Sequence, residues 1–66
     1  MLIKLNGKPH TLPADASVLA LAQLLDLNPR QVAIERNHGI VPKSAYGEVA
    51  LAEGDEVEIV QFIGGG

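Results

Sequence analysis

The last residues of the chain carry its most unusual chemistry. A run with strand character, Val57 to Ile63, leads without a polar linker into Gly64, Gly65 and Gly66. Three glycines form the narrowest and most flexible peptide segment, and fully extended they reach about 10 Å. We therefore predict a flexible tail over residues 64–66 that carries the Gly66 carboxylate along a narrow channel into another protein's active site, while residues 1–63 form the folded domain.

A frayed end or a purification remnant is the alternative explanation of this tail, because many chains end in small residues. The absence of a tag-like sequence and of a polar linker favours a functional tail.

The other reactive side chains have structural explanations. The chain has no cysteine, so it lacks a thiolate ligand or nucleophile. His10 and His38 show no metal-site spacing, and Ser17 suits a helix cap. We therefore predict no metal site, no catalytic side chain and no cofactor of its own. The late carboxylates could do acid–base chemistry in a cleft, but so small a domain favours a solvated acidic edge beside the tail: Glu53, Asp55, Glu56 and Glu58.

Composition sets the class of protein. The chain has 66 residues, 47% of them hydrophobic, and a formal net charge of −3, which predicts one ordered domain rather than a nucleic-acid binder. Its longest apolar run, from Val18 to Leu25, is too short to cross a bilayer. Met1 opens directly onto a strand pattern with no signal segment, so we expect a cytoplasmic protein.

Hydrophobic spacing predicts a hairpin followed by a helix. Two strands, 1–5 and 8–12, flank the Asn6-Gly7 turn. Because Pro9 has no N–H, either the second strand lies at a sheet edge or Pro9 lies where the sheet needs no donor. A helix over about 18–26, capped by Ser17, has an apolar stripe of Val18, Leu21, Ala22 and Leu25. We expect Leu19 and Leu24, which lie off the stripe, to be partly buried.

Short strands complete the predicted fold. We expect a helical turn over 29–31 capped by Asn28, strands over 32–36 and 40–41, and irregular structure over 42–47 in which Tyr46 is packed with its hydroxyl bonded. The turn at residues 53–55 begins the final strand. The order is typical of an α+β fold, in which one helix covers one face of a mixed sheet of four to five strands.

The final strand also carries a candidate docking surface for a partner. Val60 and Phe62 share the parity of Glu56 and Glu58, opposite to Val57, so they should face away from the helix. Exposed apolar residues beside a functional terminus are typical of a partner surface. Cover by a loop or by a dimer contact is the alternative.

Several of these elements together resemble the sulfur carrier protein of thiamine biosynthesis, a ubiquitin-like β-grasp protein. The shared features span the chain: the strand opening, Asn6-Gly7, the helix around 18–25, Ala33-Ile34, Ile40-Val41-Pro42, Glu53-Gly54-Asp55 and the Phe62-Ile63-Gly-Gly ending. The family requires its last two glycines, so the additional Gly64 is compatible.

The resemblance implies a carrier, not an enzyme. A ubiquitin-activating-like adenylyltransferase uses ATP to adenylate the Gly66 carboxylate, and a persulfide donor then supplies the sulfur of a C-terminal thiocarboxylate. Thiazole synthase accepts that sulfur. Gly64 and Gly65 leave the channel unobstructed.

Three other functions stay open. The small sulfur-carrier subunit of molybdopterin synthase shares this ending and chemistry, although the brevity of the present chain favours the thiamine pathway. A ubiquitin-like protein modifier would join Gly66 to a lysine. A plain binding module is the third.

Overall fold

The computed structural model describes residues 1–62, which form a mixed sheet with one α-helix packed on one face. The strands pair in the order β2-β1-β5-β3-β4. Two short 3₁₀ helices lie in the connections, at Pro29–Gln31 and Lys43–Ala45. The elements are β1 (Leu2–Leu5), β2 (Lys8–Thr11), α1 (Val18–Leu24), β3 (Val32–Arg36), β4 (Gly39–Ile40) and β5 (Glu56–Gln61). The predicted α+β class is confirmed.

The first two strands form the predicted hairpin. Asn6 and Gly7 have φ values of 49° and 82°, the left-handed conformation that a tight hairpin turn requires. β1 pairs with β2 antiparallel, from Leu2 opposite Thr11 to Leu5 opposite Lys8. β2 is an edge strand, one of the two arrangements that Pro9 predicted.

β5 lies in the middle of the sheet. It runs parallel to β1, with Lys4 beside Glu56, and antiparallel to β3, from Val32 opposite Gln61 to Arg36 opposite Val57. The strand that leads to the tail is therefore paired on both sides.

The helix covers the core but ends earlier than predicted. Ser17 Oγ accepts a hydrogen bond from Ala20 N at 3.0 Å, the expected N-cap. Val18, Leu21 and Ala22 are fully buried. The helix ends at Leu24 rather than at Asp26, because Asp26 adopts a left-handed φ of 58°.

Two leucines at the end of the helix are less buried than predicted. Leu25, predicted on the buried stripe, is only partly buried, and Leu24 is 60% exposed, so the prediction of partial burial for Leu24 was wrong. Leu19 is partly buried as predicted. None of the helices within residues 1–62 is long and apolar enough to span a bilayer.

The connection from β4 to β5 supplies the remaining core contacts. Tyr46 is buried, and its hydroxyl donates to the Val32 carbonyl at 3.2 Å, as predicted; burial raises the pKa of this hydroxyl. The segment after Pro42 is a 3₁₀ helix where irregular structure was predicted. β4 is shifted by one residue from the predicted 40–41, and Val41 just after it is buried in the core.

Candidate functional site

The tail itself lies beyond the part of the chain that the structure describes. The predictions for Gly64, Gly65 and Gly66, and for Ile63 before them, fall outside residues 1–62. The structure instead describes the base of the tail: β5, Phe62 and the side chains that hold them.

One face of β5 is open to solvent. Glu56, Glu58 and Val60 follow each other along this face at intervals of about 7 Å, the distance between alternate residues of a strand. Val60 is 59% exposed and Phe62, just past the strand, is 49% exposed, whereas Val57 on the opposite face is buried. The predicted exposure is therefore confirmed, and docking at these four residues stays a prediction.

Neighbouring strands extend this open face. Ala33 lies opposite Val60, Glu35 lies opposite Glu58, and Lys4 lies beside Glu56. Like charges directly opposite each other, as at Glu35 and Glu58, destabilise a sheet rather than stabilise it. Glu35 and Glu58 therefore do not stabilise the sheet. Their negative charge makes this face complementary to a basic surface.

Asp55 does not belong to the predicted acidic edge. The residue is 7% exposed, and its carboxylate accepts three hydrogen bonds, from Arg36 Nε at 2.7 Å, Asn37 Nδ2 at 3.1 Å and Ala52 N at 2.8 Å. Burial by itself would raise the pKa of Asp55, but the bonds from Arg36, Ala52 and Asn37 together outweigh it and lower the pKa below its ordinary value. Asp55 is a structural anion, which corrects the prediction of a solvated carboxylate.

Asn37 extends that contact to the start of β5. Its side-chain Oδ1 accepts from Glu56 N at 2.9 Å, and its backbone N–H donates to the Glu56 carbonyl at 2.7 Å. Asn37 and His38 have φ values of 51° and 71° in the turn between β3 and β4. The turn is thus tied to the first residue of the strand that carries the tail. From the sequence, Asp and Asn side chains are expected to bond nearby backbone groups. That tendency could not identify the contacts of Asp55 and Asn37 with partners distant in sequence.

The side chain of Asn6 holds the middle of β5. Asn6 Oδ1 accepts from Ile59 N at 2.8 Å, and Asn6 Nδ2 donates to the Ile59 carbonyl at 3.4 Å. β1 has ended at Leu5, so this side-chain amide makes the backbone bonds that a further β1 residue would have made. The sequence predicted only the turn at Asn6, and not this contact across the chain.

Phe62 at the base of the tail is held by the 3₁₀ helix Pro29–Gln31. Its backbone N–H donates to the Gln31 carbonyl at 2.8 Å. Lys43 Nζ donates to the Arg30 carbonyl at 2.8 Å and lies 5.5 Å from the centroid of the Phe62 ring. Lys43 was not singled out from the sequence, since no periodic pattern connects it with Phe62.

Comparison with known proteins gives a consistent family. A family model described as the ThiS family matches residues 3–66. A sulfur carrier protein ThiS from Bacillus subtilis is 38% identical, over 98% of this chain and 100% of that protein. A thiazole synthase from Magnetococcus marinus is 46% identical over the full 66 residues. The chain spans only about a fifth of the length of the first relatives it matches, both thiazole synthases.

A solved structure confirms the fold. The crystal structure of the thiamine biosynthesis protein ThiS from Geobacter metallireducens superposes with a TM-score of 0.85 at 30% identity, covering 100% of both chains. The β-grasp fold expected from the sequence is therefore confirmed.

Proposed function

Because this chain belongs to the ThiS family, we propose that it is a sulfur carrier protein of thiamine biosynthesis. The observation that carries the proposal is the extent of the family match, which continues past the folded strands to Gly66. A match that included only the domain would have supported the fold without supporting chemistry at the tail.

The proposed chemistry takes place at the carboxylate of Gly66. A carboxylate oxygen attacks the α-phosphorus of ATP on an adenylyltransferase, and pyrophosphate leaves. A persulfide sulfur then attacks the acyl adenylate and expels AMP, which gives an acyl disulfide. A thiol cleaves that disulfide to release the thiocarboxylate and becomes oxidised in the process. ATP belongs to the activating enzyme, and the carrier needs no cofactor of its own; the reaction takes place in the cytoplasm, where ATP is available.

Thiazole synthase is the proposed acceptor of the sulfur. The Magnetococcus marinus relative is itself named a thiazole synthase and contains a segment 46% identical to this whole chain. A carrier sequence within that protein favours the thiamine pathway over molybdopterin synthase. Co-purification with thiazole synthase rather than with a large molybdopterin synthase subunit tests this preference.

The open face of β5 is the proposed docking surface for the activating enzyme. It combines two carboxylates, Glu56 and Glu58, with the exposed apolar residues Val60 and Phe62. Within residues 1–62 no loop covers these apolar side chains, which leaves a dimer contact as the alternative to a partner. An acidic surface accelerates encounter with a basic partner, and an apolar centre adds affinity after contact.

Substitution in the tail tests the chemistry. We expect Gly65→Ala, or deletion of Gly66, to abolish ATP–pyrophosphate exchange with the activating enzyme while leaving the fold intact, because an added Cβ obstructs the channel and restricts φ. Gly47→Ala is the matched control, since a Cβ there meets Leu19 at an ordinary contact distance of 3.6 Å. Unchanged exchange with Gly65→Ala would contradict the proposal.

The mass of the protein isolated from cells separates the alternatives. A carrier ends at Gly66 and becomes heavier by the difference between one sulfur and one oxygen atom. A modifier instead leaves branched glycine on the lysines of target proteins. A mature chain that extends permanently beyond Gly66 would exclude both the sulfur carrier and the protein modifier.

A variant on the open face tests docking. We expect Val60→Ala to weaken binding to the activating enzyme, measured without ATP, and Leu24→Ala, with a similarly exposed side chain at the helix end, to leave it unchanged. Sedimentation of the free chain detects the alternative dimer. Undiminished binding by the Val60 variant, or a monomer–dimer equilibrium that it abolishes, counts against a docking surface for the enzyme.

A further inference from the structure

We propose that Lys43 is a positioning residue that holds Phe62, the residue from which the chain continues to its tail. This inference rests on the proposed function, because it concerns delivery of Gly66 to the activating enzyme. It is carried by the contacts of Lys43 and Phe62 with one short 3₁₀ helix.

Lys43 makes contacts at both ends that do not involve the aromatic ring of Phe62. It begins the 3₁₀ helix Lys43–Ala45, which is closed by the bond from Ala45 N to the Pro42 carbonyl at 2.9 Å. At the other end of the side chain, the ammonium group donates to the Arg30 carbonyl at 2.8 Å. A hydrogen bond at the tip of this exposed side chain restricts its rotamers.

The fixed ammonium group then holds the ring. Its distance of 5.5 Å from the Phe62 centroid lies within the range of a cation–π interaction. The backbone of Phe62 bonds independently to the Gln31 carbonyl at 2.8 Å. Phe62 is thus restrained twice by the helix Pro29–Gln31, directly through its N–H and indirectly through Lys43.

Phe62 is the position at which such a restraint has most effect. β5 ends at Gln61, so Phe62 is outside the strand, and the glycines of the sequence have no side chains with which to hold a direction. A restraint present in the free protein lowers the ordering cost of binding. Because it acts equally before and during adenylation, it lowers KM and leaves kcat unchanged.

The experiment compares Lys43→Met, Lys43→Arg and the control Lys8→Met, an exposed lysine on the edge strand β2. We expect Lys43→Met to raise the KM of adenylation about two- to five-fold with kcat unchanged, as the loss of an exposed cation–π contact implies. Lys43→Arg keeps a cation and should retain the original KM. Lys8→Met loses the same charge and should also retain it.

NMR of the free chain gives a readout that does not depend on any enzyme. We expect the ring-proton shifts of Phe62 to change in Lys43→Met and to be largely retained in Lys43→Arg and Lys8→Met. If the original chain is never adenylated, the proposed function fails while this measurement still tests the contact.

Three results would overturn the positioning role. One is a KM for Lys43→Met equal to that of the original protein. Another is an arginine variant that behaves like the methionine variant. The third is a set of Phe62 ring shifts that the methionine substitution leaves unchanged. A loss of thermal stability with an unchanged KM belongs to the first case, because it means that Lys43 only shields an apolar ring.

Discussion

Three polar side chains hold the strand that leads to the tail, and two of them, Asn6 and Lys43, are distant from it in sequence. Asp55 and its partners fix the start of β5, Asn6 bonds both backbone groups of Ile59, and Lys43 Nζ lies 5.5 Å from the centroid of the Phe62 ring just after the strand ends. Each of them acts through hydrogen bonds or a cation–π contact, so none contributes through the hydrophobic core. At the scale of the residue, the base of the tail is organised by polar contacts.

Asp55→Asn should destabilise the protein by about 2 kcal/mol at neutral pH, because a buried carboxylate bonded by Arg36 is replaced by an amide that directs a donor at other donors. Urea unfolding followed by circular dichroism measures the change. Glu48→Gln, at an exposed carboxylate, is the matched control and should change stability by less than about 0.5 kcal/mol.

The same substitution has a defined pH dependence. The folded pKa of Asp55 is lowered, so the unfolded chain takes up a proton first as the pH falls. The stability that this carboxylate contributes is complete well above pH 4 and is lost as the pH falls through the lower, folded pKa. The difference between Asp55→Asn and the original protein should therefore shrink in acid, and a constant difference from pH 7 to pH 2.5 would contradict this account.

Replacement of Asn6 separates its two roles. Asn6→Gly keeps a residue that accepts the left-handed turn but loses both bonds to Ile59, whereas Asn6→Ala also strains the turn. We expect losses of about 1 kcal/mol for glycine and about 2 kcal/mol for alanine in urea unfolding. Equal stability of Asn6→Gly and the original protein would show that the contact with Ile59 contributes nothing.

At the scale of the elements, local patterns in the sequence predicted most of what the structure contains. The hairpin followed from Asn6-Gly7, the helix start from Ser17, and the two faces of β5 from strict alternation. The helix end was missed because nothing in a continuing apolar pattern shows that Asp26 turns left-handed. The burial of Asp55 was missed because two of its three partners, Arg36 and Asn37, are far away in sequence and are brought to it only by the pairing of β3 with β5.

The N-cap of α1 should matter more than usual, because the helix has only seven residues. Ser17→Ala removes the acceptor for Ala20 N and should cost about 1 kcal/mol in thermal or urea unfolding. Ser44→Ala, at an exposed position in the second 3₁₀ helix, is the matched control. A similar effect of both substitutions would mean that the cap bond is not the cause.

At the scale of the whole molecule, the strand that leads to the tail lies centrally and the edges are short. β5 pairs on both sides, whereas β4 has two residues and β2 contains Pro9. A domain this small, without disulfides, has limited stability, and its protection against local opening should follow this order. We therefore expect amide hydrogen exchange to be slowest in β3 and β5 and fastest in β2 and β4.

Exchange followed by NMR at neutral pH checks this order residue by residue. The amides of Glu58 and Val60 should remain protected up to near global unfolding, because they lie inside the pairing with β3. Exchange of these amides as fast as that of Ile40 in β4 would show that β5 opens separately from the rest of the sheet.

The parallel pairing of β1 with β5 has a mechanical consequence. The two strands point the same way, so tension between Met1 and the far end of β5 acts along their shared axis. The bonds from Lys4 N to the Asp55 carbonyl and from Asn6 N to the Val57 carbonyl are then loaded together in shear, instead of being unzipped one after another. These bonds therefore resist together a pull on the end of β5, which is the load that the proposed insertion of the tail into an enzyme channel would place on the strand.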